Sequence, residues 1–126
     1  MTPKDVAENY WRLECTRDIS AILSCYEHNA ELIVPGLGRL IGHEQIGLFY
    51  QASIDRFPGL RVDIVNSLID GDYGAFEWRS VFTDHEGKIF RSKGSNFIRI
   101  LGNRFLSVHV YFDPTDLQIS PTEASL

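Results

Sequence analysis

The chain has 126 residues, 44% hydrophobic and 23% charged, the make-up of an ordinary globular domain rather than a disordered or fibrous segment. A net charge of −5, with no lysine- or arginine-rich cluster interleaved with aromatics, argues against a reader of phosphate backbones, so no nucleic acid partner is expected. No apolar run is long enough to span a bilayer and residues 1–5 are too polar for a secretory signal, so no membrane association and a cytoplasmic location are expected.

Thr2, Pro3 and Asp5 are a helix start: a hydroxyl cap, proline at the first helical position and an acid in the first turn. The helix is expected to run to about Glu14, with Val6, Ala7, Tyr10, Trp11 and Leu13 on one buried stripe and Lys4, Glu8 and Arg12 toward water. Asp18 caps a second, shorter helix carrying Ile19, Ile22, Leu23 and Tyr26 at helical spacing. Ala30 to Val34 is a short strand, stopped by a Pro35-to-Gly38 loop. A third helix follows with Ile46, Phe49, Tyr50, Ile54 and Phe57 as its stripe, ended by Pro58 and Gly59. The period then changes. Leu60–Ile69, Tyr73–Asp84, Ile89–Leu101 and Arg104–Asp113 are rich in β-branched and aromatic residues and separated by turn residues, which predicts a four-stranded antiparallel meander. The order α-α-β-α-β-β-β-β predicts an α+β fold in which a curved sheet wraps the helices. One domain is expected over 1–119, with a flexible tail at 120–126.

Cys15 and Cys25 form no CxxC pair and are expected to be buried free thiols. His28, His43 and His85 have no partner at ligand spacing, so no metal is expected. Gly36 and Gly38 lack the third glycine of a dinucleotide loop, and no phosphate loop or nucleophile elbow occurs, so no cofactor is expected. The strongest functional lead is Asp113, an acid closing an aromatic-rich strand. In an apolar hollow desolvation would raise its pKa, whereas at a solvated strand end it would only accept backbone hydrogen bonds. The two faces of that strand leave both readings open. Leu106, Val108, Val110 and Phe112 form an apolar face; Phe105, Ser107, His109, Tyr111 and Asp113 form a mixed one. If the mixed face lines a hollow, a second subunit is the simplest cover for the apolar face.

Several short segments, in order, resemble the SnoaL-like polyketide cyclase and ketosteroid isomerase branch of the nuclear transport factor 2-like superfamily. They are Tyr10-Trp11 in the first helix, Val34-Pro35-Gly36, the segment from Gly42 to Ile46, and Phe57-Pro58. Then come residues 70–72 before the strand holding Trp78, the segment from Gly94 to Arg99, and Tyr111 to Asp113. The resemblance covers nearly the whole chain. It implies a cone-shaped α+β barrel of a curved, mostly antiparallel sheet enclosing an apolar pocket, in a homodimer packed through the outer sheet face, with the mixed strand face inward. It also implies that Asp113 is the acid/base residue, with Leu117-Gln118 resembling the segment that follows it. Tyr10 then donates to a substrate oxyanion and Asn96 serves as second donor. Trp78, His109 and Tyr111 are expected to line the pocket and bind a small lipophilic molecule. Val34 stands where similar isomerases keep their general base, and valine carries no proton, which argues against steroid double-bond isomerisation. Two functions follow: cofactor-free acid/base chemistry of cyclase or isomerase type on a lipophilic carbonyl compound, or a non-catalytic ligand-binding or dimerisation module. The two differ in whether an Asp113→Asn change costs turnover.

Overall fold

In the computed structural model, which describes residues 1–117, the first helix α1 spans Pro3–Glu14 and opens on a reciprocal cap. The Asp5 amide donates to the Thr2 hydroxyl at 3.1 Å and the Thr2 amide donates to the Asp5 carboxylate at 2.9 Å. Helix α2 is short, Ile19–Leu23, and is capped as expected, by the Asp18 carboxylate accepting from the Ala21 amide. It ends before Tyr26. The first strand, β1, runs Tyr26–Val34 and so begins four residues earlier than Ala30; its Tyr26 side chain enters the core from a strand rather than from a helix. The segment after the Pro35 turn is more than loop. Residues Gly38–Ile41 form a strand, β2, that folds back on β1 with Leu40 opposite Leu32. Helix α3 covers Gly42–Arg56, and Gly42 enters it with φ +83°, a conformation that glycine adopts without strain.

Strands β3 (Gly59–Asp70), β4 (Tyr73–Thr83), β5 (Ile89–Leu101) and β6 (Arg104–Phe112) form the expected meander. A 3-10 turn at Pro114–Leu117 follows, and the expected tail at 120–126 lies outside the described residues. The sheet order is β2-β1-β6-β5-β4-β3, antiparallel throughout except where β1 lies parallel to β6. The sheet is curved and not closed, and the three helices fill its concave side. From them Val6, Ala7, Tyr10, Trp11, Ile22, Ile46 and Tyr50 pack against Leu32, Phe76, Ile98, Ile100, Phe105 and Val108 of the sheet.

The last strand corrects the expected register. Val108 is buried and Val110 and Phe112 face the helices, so the apolar set looks inward and the mixed set outward. Phe105 is the exception that the pairing explains. Arg99 pairs with Ser107 but Ile100 pairs with Phe105, so Leu106 is the extra residue of a β-bulge, and alternation reverses across it. His109 and Tyr111 therefore stand on the outer face, stacked at 4.2 Å between ring centres, and Tyr111 meets Phe97 edge to face. The physical reason is plain: the inward face makes contact with an apolar core, and histidine or aspartate there would have to find buried partners.

Candidate functional site

Between the helices and the concave sheet face lies a cavity of about 340 Å³, room for about eleven water molecules at ~30 Å³ each. Its walls are mostly apolar: Trp11 from α1, Leu32 from β1, Phe49 from α3, Val62 from β3, Trp78 and Phe82 from β4, and Val110 and Phe112 from β6. The polar groups facing it are few, as in small-molecule sites generally. They are Tyr10 and Glu14 of α1, Tyr50 and Ser53 of α3, Arg56, and Ser92 and Asn96 of β5. Around Arg56 the chain is drawn together: its guanidinium donates to the Leu117 carbonyl at 2.6 Å and lies over the Phe57 ring at 4.6 Å.

Tyr10 and Glu14 are one helical turn apart on the same face of α1, the spacing at which side chains on a helix meet. Burial pushes the Glu14 carboxyl up to about 7 from an ordinary 4.5, against the pull of Arg17 and of the Tyr10 phenol. Arg17 acts only at range. Its guanidinium is held by the Phe57 carbonyl at 3.1 Å and the Ser53 hydroxyl at 2.9 Å. Glu14 keeps some exposed surface because it faces the cavity rather than packed chain. Behind Tyr10 stands a row of phenols: the Tyr50 hydroxyl lies within hydrogen-bond distance of both Tyr10 and Tyr26. Burial raises all three well above the ordinary phenol value, so they remain protonated and able to donate.

On the sheet side, the Trp78 indole donates to the Asn96 side-chain oxygen at 2.9 Å. Because an indole N–H can only donate, this fixes the amide, and the Asn96 nitrogen is left as a donor at the cavity that Asn96 lines. Gly94 makes the contact possible. A Cβ there would stand 2.7 Å from the Trp78 ring and 2.2 Å from the Tyr111 carbonyl, so any side chain would push the indole away. Ser92, two residues from Gly94, faces the same cavity, and among the described residues its hydroxyl has no hydrogen-bond partner; nor has that of Ser80, directly across the ladder. A buried hydroxyl left unpaired costs about 1–3 kcal/mol.

Of the residues singled out from sequence, the structure brings Tyr10, Asn96 and Trp78 together in one cavity and leaves the others outside it. Asp113 is exposed. Its carboxylate accepts from the Thr115 amide at 3.0 Å and the Thr115 hydroxyl at 2.7 Å, and these bonds hold its pKa below the ordinary value. It closes the turn after β6, the solvated strand-end alternative. His109 and Tyr111 lie on the outer sheet face, and Val34 is buried in the core. Glu14 is the residue that sequence reasoning passed over, as the end of α1. The signal was present: Glu14 continues the row set by Ala7, Tyr10 and Trp11 at three- and four-residue spacing.

Comparison with known proteins agrees with this architecture. A model described as a SnoaL-like domain matches residues 7–108. A protein with a ketosteroid isomerase-like fold from Catenulispora acidiphila DSM 44928, solved with trimethylamine, superposes with a TM-score of 0.79 at 14% identity, covering 89% of this chain and 88% of its own. An NTF2-like protein from Burkholderia pseudomallei K96243 superposes at 0.80 with 14% identity, covering 93% of this chain and 95% of its own. A protein from Jannaschia sp. CCS1 assigned to the SnoaL-like polyketide cyclases superposes at 0.80 with 11% identity, covering 95% and 91%. At these identities the likeness establishes the fold. No curated protein matches the chain in sequence.

Proposed function

The chain belongs to the SnoaL-like domain family, and on that premise we propose that it performs cofactor-free acid/base chemistry on a small lipophilic carbonyl compound. Glu14, not Asp113, moves the proton. The observation that carries this reading is a carboxyl group in an apolar cavity, held near 7 by desolvation, beside a phenol that stays protonated. Near neutral pH such a carboxylate takes a proton from carbon next to a carbonyl and returns it, because its pKa matches the working pH. Tyr10, backed by Tyr50, and the Asn96 amide supply donors for the oxygen on which negative charge develops. The apolar walls set the substrate class, in keeping with the cyclase assignment of the Jannaschia neighbour. We also assign the outer sheet face to a second copy of the chain.

The test uses a general substrate for carbon deprotonation, nitrobenzisoxazole, whose ring opens to a coloured phenolate when its C–H proton is removed. The protein should accelerate the opening, with a rate that rises with pH through about 7 as Glu14 ionises. Glu14→Gln should lower that rate by about a hundredfold. Asp113→Asn should leave it unchanged. A rate insensitive to Glu14→Gln assigns the cavity to ligand binding without catalysis.

A further inference from the structure

Two hydroxyls on the inner sheet face do nothing in the fold. Ser80 and Ser92 are 4% and 6% exposed, lie opposite each other on β4 and β5, and neither oxygen has a hydrogen-bond partner among the described residues. Cavity-facing positions on this face are otherwise aromatic or aliphatic until Asn96. A fold has no use for such a pair: alanine at either position would pack as well without leaving a desolvated polar atom. Ser92 lines the cavity, so an occupant of that space is placed to supply the missing partner.

Its position along the strand sets the shape of the occupant. Ser92 and Asn96 share a face of β5 four residues apart, about 13 Å along the strand, with the flat Trp78 ring across Gly94 between them. One donor, the Asn96 nitrogen, stands at one end of the Trp78 wall, and one free hydroxyl stands at the other. We infer that Ser92 is a specificity-determining residue that binds a second oxygen of the substrate, and that the substrate is a flat, largely apolar aromatic compound with an oxygen function at each end. The inference rests on the cavity being the substrate site, as proposed above, and adds which lipophilic compounds it selects. A hydroxyl suits Ser92 better than an ether, because a serine hydroxyl both donates and accepts and can turn to do either.

A matched series of probes tests this: biphenyl, para-phenylphenol and para,para′-biphenol, with none, one and two hydroxyls on one skeleton. Binding is read from quenching of Trp11 and Trp78, both of which line the cavity. In the wild-type protein the second hydroxyl should tighten binding about five- to tenfold, the value of one hydrogen bond. Ser92→Ala should erase that gain and leave the affinity for biphenyl unchanged, while the melting temperature stays level or rises because an unpaired polar atom has gone. If biphenyl binds but the second hydroxyl brings no gain, or the gain survives Ser92→Ala, the Ser92 assignment is overturned and the acid/base reading stands on its own test. If none of the three binds, both are overturned.

Discussion

Glu14 couples the chemistry of the cavity to the stability of the fold. Its carboxyl titrates near 7 in the folded chain against an ordinary 4.5, so the folded state holds a proton that the unfolded chain has already released between those values. The protonated carboxyl therefore supports the fold fully below about 4.5, and that contribution is lost as pH rises through about 7. The loss reaches up to about 3 kcal/mol. Glu14→Gln, which keeps the shape and never ionises, should be nearly insensitive to pH across this window and more stable than wild type at about pH 8. Urea denaturation of both proteins at about pH 5 and about pH 8 measures it, and parallel pH dependence in the two would show that Glu14 is not the titrating group. The same residue marks a limit of sequence reading. Asp113 drew attention because it closes an aromatic strand, but Thr115 two residues on satisfies its carboxylate in a local turn, a contact that needs no cavity. Glu14 had the opposite fate, since its helical row pointed inward while its charge suggested solvent.

The β4–β5 hairpin is the element on which the site depends. Trp78 crosses the Gly94 backbone to reach Asn96, and every link of that bridge sits on one ladder with Trp78 opposite Gly94 and Phe76 opposite Asn96. Gly94→Ala would place a Cβ against a backbone carbonyl that has no freedom to move, so it should destabilise the protein by about 2–3 kcal/mol and release the indole into a more polar setting. Thermal unfolding together with a red shift of the tryptophan emission is the readout. An unshifted spectrum at full stability would mean that β6 can draw back from β5, contrary to the close approach described. The hairpins themselves were legible, because residues 70–72, 85–88 and 102–103 carry turn chemistry between runs of strand-forming residues. The inward face of β6 was not. Alternation fixes which residues share a face but not which face is buried, and the bulge at Leu106 breaks the alternation where Phe105 would have decided it. Strand β2 escaped for a related reason: four residues that follow the turn at Gly36 and open on Gly38 show no period of their own, and only pairing with β1 makes them a strand.

At the scale of the whole molecule, the reversed register changes the argument for a dimer without removing it. Of the apolar residues of β6 once expected to need a partner, Val108 is buried and Val110 and Phe112 face the cavity under the helices, so they call for no second subunit. What the outer face offers instead is a smaller aromatic patch, with Phe97 56% and Tyr111 48% exposed in edge-to-face contact and the His109 ring stacked on Tyr111. Around it stand charges of both signs on neighbouring strands, Glu77 and Arg79 on β4 and Lys93 and Arg99 on β5. The dimer proposed for this face would bring the aromatics of two copies together near a two-fold axis and set Glu77 of each opposite a base of the other. Light scattering at about 100 μM should then return twice the mass of one chain, with a melting temperature that rises with protein concentration. Phe97→Glu would bring two like charges together at the centre of the contact and should yield a folded monomer whose cavity still binds biphenyl, because Phe97 and the cavity lie on opposite faces of the sheet. A wild-type protein that is monomeric at that concentration would leave the aromatic patch without a partner in its own kind and return the outer face to solvent.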